Sequence, residues 1–189
     1  MFISGAGSNM AALLYASRLP GSLYEIVLVA SNVAGARGLE LAALEGVPTF
    51  AHSHRGHARE TQDGAMEDAA RAADAQVIVL AGYMRILSDS FVRRWEGRIL
   101  NIHPSLLPDY RGLDTHARAI DAGESHAGAS VHLVTPALDA GPVLAQARVA
   151  IAPGDTPESL EARVKLAEHQ LYPHALTQFL AERADSGPG

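Results

Sequence analysis

The sequence predicts a three-layer α/β fold on an open, mostly parallel sheet with an antiparallel edge. Short apolar runs, FIS at 2–4, IVLVA at 26–30, VIVLA at 77–81 and RILNI at 98–102, alternate with segments of helical period. Continuous Val/Ile/Leu runs of this length suit strands buried on both faces, and intervening helices imply right-handed crossovers to parallel neighbours. After residue 114 the pattern changes to two alternating runs, ASVHLVT at 129–135 and PVLAQARVAI at 142–151, with Asp139, Ala140 and Gly141 between them. Such a pair reads as antiparallel strands closing one edge of the sheet.

Taken in order, the elements carry local signals. Only MFIS stands ahead of Gly5, against about five or six residues for a typical strand, so the first strand is unusually short or the chain starts late. Helices are predicted over 9–18, 36–45, 61–73 and 89–95. Gly46 supplies the C-terminal stop of the second, and Ser88 is the N-cap of the fourth. A short helix over 115–122 leads into the antiparallel pair. Thr156 followed by Pro157 opens the last helix, because proline fits the first helical position where no donor is needed. ESLEARVKLAEHQLY continues it, Pro173 kinks or ends it, and a last apolar turn lies near 175–180. One domain is expected over 1–183, with ADSGPG at 184–189 a frayed tail.

Composition narrows the function classes. A chain of 189 residues that is 48% hydrophobic and 19% charged has enough apolar surface for one core. A net charge of −6 offers no footprint for nucleic acid. There is no cysteine, so disulfides, thiolate metal sites and thiol nucleophiles are absent. The apolar runs are too short to span a bilayer, and the N-terminus lacks a basic region with a cleavable apolar segment, so a cytoplasmic location is expected.

Three stretches carry chemistry. SGAGSNM at 4–10 joins the first strand to the first helix, where Gly5 and Gly7 permit close backbone approach and the helix N-terminus offers free N–H groups to a phosphate. A merely tight turn reads the same way. It is no dinucleotide fingerprint, since Met10 replaces the third glycine and Ala30, Ser31 and Asn32 stand where an acidic residue is expected. AGYMRIL at 81–87 follows the VIVLA strand, at the carboxyl end where open α/β sheets bind ligands. Its apolar side chains and free backbone groups suit a flat heteroaromatic ring or a loop covering the core.

The third stretch is RILNIHPSLLPDYR at 98–111. Period two places Asn101 and His103 on one face and Ile102 on the other, immediately before Pro104 breaks the strand. An isolated Asn-x-His fits a solvated strand end as well as a site. Asp139, in the LDAGPV turn at 138–143, could bond its own backbone or fold over Asn101 and His103. In the second case an amide, an imidazole and a carboxylate form an acyl-transfer apparatus whose nucleophile comes from a substrate. His52, His54 and His57 lack a completing carboxylate or second histidine motif, so no metal is expected. Met10 and Met84 read as packing residues, and Glu161 with Lys165 as a solvated i, i+4 pair.

SGAGSN, AGYMRIL, NIHPSLLP, LDAGPV and AEHQLYP at 167–173 occur in that order, and together the chain resembles the phosphoribosylglycinamide formyltransferase family over nearly its whole length. The resemblance implies a Rossmann-like formyltransferase fold and transfer of the formyl group of 10-formyltetrahydrofolate to the amine of glycinamide ribonucleotide in purine biosynthesis, without metal. It implies a catalytic trio of Asn101, His103 and Asp139, a phosphate loop of Gly7, Ser8 and Asn9, and Glu168 on the substrate ribose. Tyr83, Met84, Arg85, Ile86 and Leu87, beside Asn101, match the folate pocket, completed by the 135–139 backbone. A cis bond before Pro108 is also implied. Arg111 and Asp114 depart from the family, which often has proline and histidine there, while His116 remains. The short first strand lacks the usual hydrophobics.

In the implied mechanism, Asn101 and protonated His103 donate to the oxyanion while Asp139 favours the imidazolium and relays a proton. The partners are the two small molecules, with a monomer or homodimer expected and no nucleic acid or membrane. Rivals are 10-formyltetrahydrofolate deformylase, whose extra N-terminal domain and altered Pro104 segment are not seen, and methionyl-tRNA formyltransferase, which needs a basic RNA-binding domain. A silent folate or sugar-phosphate sensor on the same fold is the non-enzymatic alternative.

Overall fold

The structure, a computed structural model, describes residues 1–53, 56 and 58–185. His54 and His57 of the histidine-rich segment, and 186–189 of the tail, lie outside the described residues. The strands are β1 (Phe2–Ile3), β2 (Val29–Ser31), β3 (Thr49–Ala51), β4 (Ile78–Leu80), β5 (Ile99–His103), β6 (His126–Leu133) and β7 (Val143–Ala150). The helices are α1 (Ser8–Ser17), α2 (Arg37–Leu44), α3 (Arg59–Ala72), α4 (Asp89–Arg94), α5 (Thr115–Asp121) and α6 (Pro157–Asp185). One seven-stranded sheet runs in the order β3-β2-β1-β4-β5-β6-β7. Strands β1 to β5 pair parallel, whereas β6 and β7 pair antiparallel, as the change of pattern after residue 114 predicts.

Two apolar cores lie on opposite faces of the sheet. Met10, Leu13, Leu39, Ala119, Leu160, Val164 and Phe179 bring α1, α2, α5 and α6 onto one face. Met66, Ala70, Phe91 and Val92 bring α3 and α4 onto the other. The predicted stop at Gly46 holds: it adopts φ 75°, Gly46 N donates to Ala43 O, and Val47 N donates to Ala42 O. The Ser88 cap holds too, its hydroxyl accepting from Phe91 N at 3.4 Å.

Several elements differ from the sequence reading. β3 was not foreseen, because TFA is short, follows Pro48 and is only partly buried, as an edge strand tolerates. β2 covers 29–31 rather than 26–30, since β1 extends no further back than Phe2 to pair with it. β6 does not alternate and is buried almost throughout, sandwiched beneath α6, while β7 at the edge keeps the alternating pattern. Met84 is 72% exposed rather than packed, whereas Met10 is fully buried as expected. Ala184 and Asp185 are helical, not frayed.

Pro173 does not end α6, which runs unbroken through it. An interior proline costs about 3 kcal/mol. Leu171 and Tyr172 before it, and Ala175, Leu176 and Phe179 after it, are all buried, and each large apolar side chain contributes roughly 1.5–3 kcal/mol. Burial of the continuous face outweighs the lost donor. Among the described residues, no helix is long and apolar enough to cross a membrane.

Candidate active site

The carboxyl ends of β1, β4 and β5 open on one side of the sheet, and the chemistry-bearing segments gather there. On β5, Asn101 and His103 do share a face, while Ile102 is buried on the opposite one. The turn after β6 folds back over them. It places Asp139 Oδ2 at 3.4 Å from His103 Nδ1, with both side chains only 8% exposed. Asp139 adopts φ 47°, a left-handed conformation that non-glycine residues rarely hold without tertiary support. That support includes the N–H of Gly112, which donates to Oδ2 at 3.1 Å and ties the 111–114 loop to the turn.

The tautomers follow from the partners. His103 Nε2 lies 3.0 Å from the Tyr110 carbonyl, which can only accept, so this nitrogen carries a proton. The Nδ1 edge is therefore the one left facing Asp139. A second imidazole, which the sequence reading missed, stands beside Asn101: His132 is its register partner on β6. His132 Nδ1 lies 3.0 Å from Leu133 O and must donate, so in the neutral ring Nε2 accepts from Asn101 Nδ2 at 3.1 Å. Burial holds the His132 pKa below the ordinary imidazole value, which favours this neutral form. One Asn101 amide proton is thus fixed on His132, and the amide plane is set. The signal for His132 was its position in an antiparallel run opposite Asn101, which only the register reveals.

A second polar pair joins α1 to α6. Asn9 Nδ2 donates to Glu168 Oε2 at 2.8 Å, both side chains buried although 159 positions apart. Asn9 Oδ1 has no hydrogen-bond partner among the described residues. Burial raises the Glu168 pKa, and the Asn9 bond and the nearby His103 partly offset that rise. One turn on, the Tyr172 hydroxyl lies 3.0 Å from both Leu80 O and Leu100 O, pinning this face of α6 between β4 and β5. Ser8 is exposed at the N-terminus of α1. Gly7, at φ 78°, is shaped by packing: an added Cβ would sit 2.9 Å from Gly38 Cα of α2. Gly5 meets no such neighbour, so it alone leaves room beside its backbone.

Comparison with known proteins places this arrangement. The Formyl transferase family matches residues 1–176. A crystal structure of phosphoribosylglycinamide formyltransferase from Brucella melitensis shares 51% identity and a TM-score of 0.91, covering 95% of this chain and 93% of that one. Phosphoribosylglycinamide formyltransferase of Escherichia coli is 42% identical over 95% of this chain and 85% of its own length. The chain belongs to the phosphoribosylglycinamide formyltransferase family. It also matches the trifunctional purine biosynthetic protein adenosine-3 of Bos taurus at 45% identity, but spans only 18% of that longer protein.

In this member of the phosphoribosylglycinamide formyltransferase family, the 81–87 segment divides by face. Tyr83 and Leu87 are buried in the core, Tyr83 against Phe2 with ring centroids 5.7 Å apart. Met84 and Ile86 are exposed, and with Arg85, Asn32 and Arg59 they line a shallow depression. The segment is held from behind by Asp63 on α3, whose Oδ2 accepts from Ser88 N at 2.6 Å, and by Ser4, whose hydroxyl accepts from Met84 N at 2.8 Å. Neither was read from the sequence. Leu107–Pro108 is cis. Arg111 accepts at its carbonyl from Arg118 Nη1, and Asp114 takes the N-cap position of α5 without a side-chain bond. His116 Nδ1 is buried without a hydrogen-bond partner among the described residues, and burial lowers its pKa. Glu161 and Lys165 form the exposed pair expected, at 3.0 Å. Among the described residues, no group of three or more potential ligands could hold a metal ion.

Proposed function

We propose that this chain transfers the formyl group of 10-formyltetrahydrofolate to the primary amine of glycinamide ribonucleotide. The carrying observation is the meeting of Asn101, His103 and Asp139 at the end of β5, with Asp139 Oδ2 3.4 Å from His103 Nδ1, in a chain of this family. Asn9, Ser8 and the first turn of α1 receive the phosphate, and Glu168 accepts from the ribose hydroxyls. The pteridine lies against the 83–87 segment, with Met84 and Ile86 offering exposed apolar surface.

The amine of glycinamide ribonucleotide attacks the formyl carbon, forming a C–N bond and moving the carbonyl electron pair onto oxygen. Asn101 donates the amide proton not held by His132, and a protonated His103 Nδ1 donates from the other side. Loss of one such donor typically costs about 100- to 1000-fold in turnover. The Asp139 carboxylate supplies the counter-charge to that imidazolium, takes the proton of the attacking nitrogen through water, and returns it to the departing folate nitrogen. Collapse breaks the bond between the formyl carbon and that nitrogen. No serine or cysteine nucleophile is required, because the substrate amine fills that role.

The test is an assay of formyl transfer from 10-formyltetrahydrofolate with glycinamide ribonucleotide, with water alone, and with each ligand separately for binding. Amine-dependent formation of the formylated ribonucleotide is the expected outcome. Release of formate without any need for the amine, or binding of both molecules without turnover, refutes the proposal.

A further inference from the structure

His103 and Asp139 are both steadied by main-chain groups of one loop, 109–114. The Tyr110 carbonyl accepts from His103 Nε2 at 3.0 Å, and the Gly112 N–H donates at 3.1 Å to Asp139 Oδ2, the same oxygen that stands 3.4 Å from His103 Nδ1. The loop does not hold that shape by itself. Tyr110, Gly112 and Asp114 adopt φ 53°, 80° and 56°, and the left-handed region is unfavourable for the two that carry a Cβ. Its side chains bury little: Asp109, Arg111, Leu113 and Asp114 are exposed, and Asp114 makes no side-chain bond to the start of α5. Arg118, one turn into α5, reaches back across the loop. Its Nη1 donates to Arg111 O at 2.7 Å and to Leu113 O at 3.2 Å, and its guanidinium lies 5.4 Å over the Tyr110 ring, a cation–π contact. The Tyr110 hydroxyl donates to Glu124 Oε1 at 2.8 Å, which anchors that ring. The Arg111 carbonyl and the Gly112 N–H belong to one trans peptide, in which the two groups point opposite ways. A guanidinium that fixes the oxygen therefore aims the hydrogen at Asp139.

We propose that Arg118 is a positioning residue for formyl transfer: it clamps the loop so that the Gly112 N–H stays on Asp139 and the Tyr110 carbonyl stays on His103. Its role rests on the reaction proposed above. An arginine suits the task because its planar head donates at the edge while its face lies on an aromatic ring. Among the described residues, Arg118 bonds no group proposed to hold either substrate. Its loss therefore acts on the placement of the reacting pair and not on substrate affinity. A misplacement of about 1 Å, caused far from the chemistry, can cost about 100-fold in rate.

Arg118→Met tests the clamp, since methionine keeps a long, helix-compatible side chain and removes the donors and the charge. Two quantities are measured on the full chain: steady-state formyl transfer, and amide hydrogen exchange at Gly112 with the amides of β6 as internal reference. The variant is expected to lose about 10- to 100-fold in kcat, with KM for both substrates within about twofold. Exchange at Gly112 is expected to accelerate by a factor at least about fivefold greater than any change at β6. A general loss of stability would instead accelerate both by the same factor, and that result overturns the proposal. A kcat within about twofold of the unaltered chain overturns it as well. Should the unaltered chain fail to transfer formyl groups, the reaction proposed above is refuted, and Gly112 exchange alone decides whether Arg118 sets the loop.

Discussion

Replacing His132 with phenylalanine tests whether Asn101 needs a partner to act. The ring of His132 makes two bonds, donating to Leu133 O at 3.0 Å and accepting from Asn101 Nδ2 at 3.1 Å, and its Nε2 also stands 3.6 Å from Asp139 Oδ1. Phenylalanine keeps the packing and removes both. A neutral hydrogen bond contributes about 0.5–1.5 kcal/mol net, so loss of the two lowers stability by about 1–3 kcal/mol, or roughly 2–12 °C in Tm for a chain this size. On the proposed mechanism turnover falls further, because an unanchored Asn101 amide rotates away from the oxyanion. The limit is loss of the whole donor, about 2.7–4 kcal/mol. His132→Phe is therefore expected to lower kcat by about 10- to 100-fold and Asn101→Ala by about 100- to 1000-fold, with KM for both substrates little changed. The decisive measurement is the double variant in steady-state formyl transfer. If His132 acts through Asn101, the double variant is no slower than Asn101→Ala, within about 0.5 kcal/mol. Multiplying penalties would refute the reasoning and give His132 an independent role.

Four further outcomes follow from the same contacts. Asp139→Asn keeps the size of the side chain but removes the counter-charge 3.4 Å from His103 Nδ1; kcat should drop by at least about 100-fold with an unchanged melting curve, and near-normal turnover would remove Asp139 from the mechanism. Glu168→Gln relieves a buried carboxylate whose pKa burial raises, so Tm should hold or rise while kcat/KM for the ribonucleotide falls about 10-fold or more; a large Tm loss with intact kinetics would contradict that division. Gly38→Ala would force its Cβ to 2.4 Å from Ile3 Cδ1 and 3.2 Å from Gly7 Cα, which should cost about 1–3 kcal/mol in denaturant unfolding and weaken ribonucleotide binding. Stability should rise with pH across about 5 to 8: the Met1 amine falls from 8.0 to about 5, and burial also lowers His116, His132 and His169. The unfolded chain binds more protons than the fold in that window, so stability is present above the unfolded values and lost as pH falls through the folded ones. The amine supplies at most about 4 kcal/mol of this, and a flat Tm between pH 5 and 8 would refute it.

The sequence by itself determined the layer order, most helices with their caps, and the pairing of Asn101 with His103, because strand periodicity, Gly46, Ser88 and Pro157 act within a few residues of where they stand. It also pointed to the residues proposed for the site, since the order of its motifs resembled one family. Only the tertiary structure decided what those residues do to one another. The register of β6 against β5 brought His132 to Asn101, the left-handed turn at Asp139 carried a carboxylate to His103, and the packing of α6, pinned by Tyr172, set Glu168 beside Asn9. β3, the shortened β2 and the unbroken α6 were likewise settled at long range. An edge strand exists by virtue of its neighbour, a strand without a partner is not a strand, and a proline is overruled when the buried face on either side of it outweighs one missing hydrogen bond.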